Sequence, residues 1–206
     1  NYHCQILEQL GVPSAKTTRL PPGIDPIFSV DDAKTINISE PPELLYVGDI
    51  SEHKGFPEFI AAIQQLDREV TVTVIGAGSA AGTSAEILPY VTIEGFVDRA
   101  DSPEYYRRDG LSVMPSTVTA GPTTTITGVD CGSPVDATDK IGVNEFPPAD
   151  ASVLFWPREA DPLAEALETA LDGLPALTAA ARSQAEEFHV DRTIDHLAEF
   201  YHELVD

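Results

Sequence analysis

The chain has 206 residues, room for one α/β domain or for one domain with part of another. Hydrophobic residues make up 42%, which supports a packed core and excludes a disordered chain. Thirty-four acidic residues stand against twelve basic ones, a net charge of −22, and such a surface repels nucleic acid and anionic membrane.

In chain order, the opening "NYHCQILEQLGV" reads as half of an amphipathic helix and not as a signal peptide. It has the look of mid-protein sequence, so residues 1–22 are expected to be the end of a preceding domain and its junction. "KTTRLPPGIDPIF" then breaks at Pro-Pro-Gly, and residues 23–42 read as a linker. From 43 to 188, apolar runs alternate with amphipathic stretches. The runs "LLYVG" (44–48), "VTVTVIG" (70–76), "VTIEGF" (91–96), "LSVMP" (111–115), "PVDATD" (134–139) and "SVLFW" (152–156) are expected strands. Expected helices are "FPEFIAAIQQL" (56–66), "SPEYYRR" (102–108), "DPLAEALETALDGL" (161–174) and "PALTAAARSQAEEF" (175–188). A closing helix, "VDRTIDHLAEFYHELV" (190–205), falls in a final segment, 189–206. Near-continuous apolar strands separated by helices imply a doubly wound parallel six-stranded Rossmann-like sheet, covered on both faces. Ligands of such a sheet lie at the carboxyl ends of the strands.

Several site types are disfavoured. Cys4 and Cys131 are too few for a disulfide framework, and the five histidines are scattered without ligand spacing. No metal site is expected. No apolar run approaches the roughly 20 residues of a membrane span. Trp156 and the pair Tyr105–Tyr106 read as packing residues. The acids are spread along the whole chain, and only Lys16, Lys34, Lys54 and Lys140 are lysines. Self-repulsion on that scale suits a salt-rich cytosol that screens it, so a halophilic source and a cytoplasmic location are expected.

Three motifs carry candidate chemistry. "VIGAGSAAG" holds Gly76, Gly78 and Gly82 after an apolar strand, with Glu94 eighteen residues beyond Gly76. This spacing suits a dinucleotide pyrophosphate, which would make the chain an NAD- or FAD-binding oxidoreductase. However, the motif follows the second strand, whereas that fingerprint belongs to the first, and a tight turn is the better reading. "YVGDISEHKGF" places Gly48 at the end of the first strand and Lys54 at a helix start, where a cation meets phosphate; a solvated lysine is the plainer alternative. "PSTVTAGPTTTITG" offers a tight loop at Ala120, Gly121 and Pro122, then Thr123 to Thr127 opening a helix. Backbone N–H groups and hydroxyls there hold an anion without a cation, unless the threonines merely cap a buried helix.

Taken together, these segments resemble the C-terminal, donor-binding half of the retaining GT-B nucleotide-sugar glycosyltransferases, the glycosyl transferases group 1 family. The resemblance covers about residues 20–205. "RLPPGIDPIF" is similar to the Pro-Asn-Gly-Val-Asp junction between the two domains. "LLYVGDISEHKGFPEFIAAI" resembles the Val-Gly-Arg…Lys-Gly strand and helix, and "VTVTVIGAGS" the second strand with its Gly-x-Gly turn. "VTIEGFVDRADSPEYYRRDGLSVMPS" follows the Gly-Phe-Val…Tyr-x-x-Ala-Asp…Pro-Ser course. "CGSPVDATD" is close to Cys-Gly-Thr-Pro-Val-Val-Ala-Thr-Asp.

The resemblance implies a nucleotide-diphosphate sugar as donor substrate and no covalently bound cofactor. It also implies a missing N-terminal acceptor domain and transfer to a glycan, glycolipid or glycoprotein. That domain would allow peripheral attachment at the inner face of the membrane. Position by position, Lys54 matches the family's diphosphate lysine, while Asp49 stands where its arginine belongs. Thr119 and Thr127 stand where the family has two glutamates with seven residues between them, one facing the sugar and the other the ribose. Gly48, Ser116, Ala120, Gly121, Pro122 and Thr123 fall along the donor cradle, and Val97 where backbone holds the base. Losing a diphosphate cation costs on the order of 10²–10³ in rate, and threonine offers only a neutral partner. A degenerate, non-catalytic binding or assembly subunit therefore remains open beside a working hexosyltransferase. The charge density has its own expected consequence. Between about 0.1 M and about 1 M KCl the Debye length shortens from about 10 Å to about 3 Å, and the thermal midpoint followed by circular dichroism should rise. A midpoint that stays level or falls contradicts the screening account.

Overall fold

The computed structural model describes residues 2–18, 20, 23–28, 38–78, 88–108, 110–116, 123–138, 149–155 and 159–205. Six strands form one parallel sheet: β1 (Glu43–Val47), β2 (Thr71–Ile75), β3 (Val91–Gly95), β4 (Leu111–Met114), β5 (Val135–Thr138) and β6 (Ser152–Phe155). Each lies within one residue of its expected ends. The order is β3-β2-β1-β4-β5-β6, the doubly wound arrangement implied by the alternation of elements, and it reverses direction between β1 and β4.

The helices are α1 (Tyr2–Gln9), α2 (Phe56–Ile63), α3 (Ser102–Arg108), α4 (Thr123–Asp130), α5 (Ala160–Asp172), α6 (Leu174–Gln184) and α7 (Val190–Val205). Successive strand residues alternate between the two faces, as the pleat requires. Leu44, Tyr46, Val72, Val74, Leu111 and Val113 pack under α2 and α5. Leu45 and Ile75 turn the other way, towards Tyr106 of α3 and Ile126 of α4. Met114, Val135 and Ala137 meet Val129 of α4 and Ala181 of α6. Both faces of the central strands are covered, and β1 and β4 accordingly read as near-continuous apolar runs, whereas the edge strand β3 alternates in burial.

Three helices end earlier than their patterns suggest, α5 among them at Asp172. α2 stops at Ile63, where the Gln65 amide turns back to the Ala62 carbonyl and tightens the last turn. α6 stops at Gln184, and Ala185–Phe188 continue as a single 3₁₀ segment. Gly173 separates α5 from α6, with Pro175 in the first turn of α6.

The segments before β1 and after α6 run side by side. Ile24 donates its amide to the Phe188 carbonyl at 2.8 Å, and Val190 donates to the Ile24 carbonyl at 3.1 Å. A Cβ on Gly23 would stand 2.9 Å from the Val190 Cα, so glycine allows this approach. Phe28 meets Tyr106 edge-on, and Arg107 Nη2 donates to the Ile27 carbonyl at 2.8 Å. Asp130, the last residue of α4, is only 1% exposed, and its Oδ2 has no hydrogen-bond partner among the described residues.

Burial raises the Asp130 pKa from its ordinary 3.8 to about 6, against the opposing pull of His189 and Arg107. A folded-state pKa above the unfolded one means that the ionised acid opposes folding above about pH 6. The penalty fades as pH falls through that value and is gone below the ordinary pKa. Asp130→Asn is therefore expected to raise the unfolding free energy by about 2–3 kcal/mol near pH 8 and by almost nothing near pH 4. Denaturant titrations at the two pH values measure this, and a loss of stability at both contradicts it.

Candidate functional site

In an open parallel sheet the ligand crevice forms beyond the carboxyl ends of the strands, where the strand order reverses. Here that point lies between β1 and β4, and a cavity of about 240 Å³ occupies it. Its walls are Tyr46 and Val47 of β1, Lys54, Val113 and Met114 of β4, Pro115, Ser116, and Thr123 and Thr124 at the start of α4. A second cavity of about 680 Å³ lies at the opposite, amino edge, between Pro41–Pro42, Arg68 and the α5–α6 junction. Its cation is already engaged, because Arg68 pairs with Glu168 and Asp172 at 2.6 Å each. Position and available charge therefore favour the crossover cavity.

The loop from Gly48 to Gly55 is shaped by Tyr46. Its Oη donates to the Asp49 carbonyl at 2.8 Å and reaches the Lys54 carbonyl at 3.4 Å. The ring stacks on Phe59 and meets Phe56 edge-on. Burial, with the nearby carboxylates of Asp49 and Glu58, pushes the phenol pKa up, so the group stays a donor. Gly55 has φ +69°, and a Cβ there would lie 2.2 Å from the Pro115 carbonyl oxygen. Only glycine lets this loop lie against the end of β4. Lys54 closes a single 3₁₀ turn, Glu52–Lys54, with its side chain half-buried. Among the described residues no carboxylate lies within ion-pairing distance of its ammonium.

The α4 wall is made from a weak helix sequence, "TTTITGVD", whose threonines and glycine disfavour the helix intrinsically. Burial holds it. Ile126 and Val129 are in the core, and Thr125 Oγ1 donates to Met114 Sδ at 3.1 Å. A Cβ on Gly128 would come within 3.2 Å of Ser112 Oγ, so the glycine brings the helix close to the sheet. "CGSPV" ends this helix and leads into β5. Gly132 has φ +74° and donates to the Val129 carbonyl, while Ser133 donates to the Gly128 carbonyl, a glycine C-cap. Thr138 Oγ1 holds the Ser116 carbonyl at 2.8 Å.

Of the residues expected from sequence, Lys54, Ser116 and Thr123 come together on the cavity wall. Gly48 and Asp49 sit on the loop beside it, with the Asp49 side chain exposed. Val97 lies beyond β3, half-buried, its side chain packed against the cluster around Tyr106. Thr127 is buried one turn inside α4 and is not among the lining residues. Thr119, Ala120, Gly121 and Pro122 lie outside the described residues, as do Gly82 and Trp156.

Gly76 and Gly78 serve backbone packing. A Cβ on Gly76 would fall 1.9 Å from the Gly48 carbonyl oxygen, and one on Gly78 would fall 2.3 Å from that of Ile50. Hence these glycines seat one loop on another, in keeping with the tight-turn reading. Sequence reasoning missed Tyr46, Val47, Val113, Met114, Pro115 and Thr124. The first four read simply as strand core, and only the strand order shows that β1 and β4 end side by side.

The cavity joins one ammonium to the first turn of α4, whose N–H groups have no intrahelical partners. That combination suits an anion with several oxygens, such as phosphate. Among the described residues, no three His, Cys, Asp or Glu side chains cluster to hold a metal ion, and no helix is long and apolar enough to cross a membrane.

The family model described as glycosyl transferases group 1 matches residues 41–173. No curated protein matches the chain. Among solved structures, sucrose-phosphate synthase of Thermosynechococcus elongatus is similar with a TM-score of 0.79 at 20% identity, over 98% of this chain and 56% of that one. HepE of Anabaena, solved in complex with UDP, gives a TM-score of 0.82 at 20% identity, over 97% of this chain and 61% of that one. A glycosyltransferase of Rickettsia africae gives 0.81 at 17% identity, over 98% and 61%. The chain thus spans 56–61% of the length of these three proteins.

Tyr46 links the core to the cavity loop, so Tyr46→Phe is expected to cost about 1 kcal/mol of stability. It should also speed amide exchange at Lys54 and Gly55 while the interior of α2 stays protected. Hydrogen-exchange NMR checks this; unchanged loop exchange would show that the phenol does not hold the loop.

Proposed function

The chain belongs to the glycosyl transferases group 1 family, and on that premise we propose that it is the donor-binding half of a retaining nucleotide-sugar glycosyltransferase. One observation carries the reading: a cavity at the β1/β4 crossover that unites Lys54 with the N-terminus of α4. The donor's diphosphate is the anion for that cradle. As the sugar leaves, negative charge grows on the departing nucleoside diphosphate. Lys54 and the N–H groups of α4 meet it in a site already organised to do so. Thr123 and Ser116 add neutral hydrogen bonds, and Val97 holds the base through its backbone. The acceptor side belongs to a domain outside this chain, and the acceptor is a glycan, glycolipid or glycoprotein. Residues 1–22 are the end of that domain, 23–42 the linker, 43–188 the donor domain and 189–206 the helix that crosses back.

A second reading has its own support. Asp49 puts an exposed carboxylate on the cavity loop, and Thr119 and Thr127 are neutral where the family carries acids. A non-catalytic binding subunit accommodates all three, and sugar transfer by the full-length protein eliminates it.

Calorimetric titration of the chain with UDP, GDP and ADP and their sugar derivatives tests the donor reading. At least one nucleoside diphosphate is expected to bind. Lys54→Ala should weaken it about 10- to 100-fold, the range for a charge-assisted contact. Absence of heat with every one of them overturns the reading.

A further inference from the structure

The crossover cavity carries less positive charge than its ligand needs. Among its lining residues only Lys54 is charged, whereas a diphosphate is a multiply charged anion. The chain as a whole, at −22, repels that anion further. The N–H groups of α4 offset part of the deficit. On the loop beside them, however, Asp49 adds a carboxylate of the wrong sign.

Asp49 is not a loosely placed surface acid. Its neighbours are tied to the loop after β2: Gly48 donates its amide to the Ile75 carbonyl at 2.9 Å, and Ile50 donates to the Ala77 carbonyl at 3.2 Å. Its own carbonyl accepts from Tyr46 Oη at 2.8 Å. The backbone is therefore fixed while the side chain stands exposed. Among the described residues no cation lies within ion-pairing distance of its carboxylate. Its charge is nevertheless felt at the cavity wall. Burial first, then the Asp49 carboxylate, and then that of Glu58 push up the pKa of the Tyr46 phenol, and Tyr46 lines the cavity.

A fixed, unpaired carboxylate next to a phosphate cradle repels the ligand unless a cation lies between them. Mg²⁺ suits that place, because it binds through one or two carboxylates together with substrate phosphates and keeps several waters. It needs no cage of protein ligands, and Asp49 requires no acidic partner to hold it. We propose that the diphosphate is taken as its Mg²⁺ complex, with the Asp49 carboxylate as the protein ligand of the ion and Lys54 on the phosphates. This rests on the donor reading of the crossover cavity. It supplies the missing positive charge with the ligand itself, and it makes Asp49 compatible with a working site.

The test titrates the chain calorimetrically with UDP, GDP and ADP, once in excess Mg²⁺ and once in EDTA, at matched ionic strength. The unaltered chain is expected to bind its nucleotide roughly tenfold to thirtyfold more tightly with Mg²⁺. Asp49→Asn should lose that enhancement and bind the metal-free nucleotide more tightly than the unaltered chain, because a repulsive charge is gone. Mn²⁺ in place of Mg²⁺ gives a second readout. Its paramagnetic resonance spectrum should change when the unaltered chain is added to the Mn²⁺ nucleotide, and far less with Asp49→Asn. Equal affinity in Mg²⁺ and EDTA, with Lys54→Ala still defective, overturns the cation and leaves the donor reading standing. An Mg²⁺ enhancement that persists in Asp49→Asn also overturns it, as does loss of metal-free binding in that variant. If no nucleoside diphosphate binds the unaltered chain in either buffer, both readings fall together.

Discussion

At Gly55 there is no room for a single added carbon: a Cβ would stand 2.2 Å from the carbonyl oxygen of Pro115. That contact presses the loop leaving β1 onto the end of β4, at the place where the sheet reverses its winding. A second contact of the same kind, Gly76 on the Gly48 carbonyl, seats the loop after β2 on the loop after β1. Backbone meets backbone at both points, so the loops after β1 and β2 are tightly seated beside the crossover. The cavity, the placement of Lys54 and the approach of α4 all follow from this packing. The Tyr46 hydroxyl adds the remaining restraint by fixing two carbonyls of the same loop from beneath.

Charge is distributed in keeping with this geometry. With a net charge of −22, cations are scarce, and several arginines are committed to structure. Arg68 joins the turn before β2 to α5, Arg99 reaches Asp25, and Arg107 holds the Ile27 carbonyl. Lys54 has no such carboxylate partner among the described residues and faces the cavity instead. An ammonium with no carboxylate partner among the described residues, beside a helix N-terminus, favours an anion there.

The strands were legible in the sequence because both faces of the sheet are buried, leaving short apolar runs bounded by glycine and proline. The order of those strands, and with it the location of the cavity, was not. Tyr46 and Met114 look like core in a linear reading, and they become cavity wall only when β1 and β4 are neighbours. Gly55 likewise shows its purpose only against Pro115, sixty positions away. Asp130 was silent because its burial depends on how α4 packs, with Arg107 and His189, both distant in sequence, acting on it. Local patterns gave the "VIGAGSAAG" turn two meanings, and packing of Gly76 and Gly78 against the preceding loop supports the tight turn.

The central claim is that the crossover between β1 and β4 receives the diphosphate of a nucleotide. Its most direct test is a crystal structure of the chain with a nucleoside diphosphate bound. The account predicts phosphate oxygens within hydrogen-bonding distance of the Lys54 ammonium and of the first N–H groups of α4. A diphosphate bound at the amino edge, beside Arg68 and the α5–α6 junction, would contradict it.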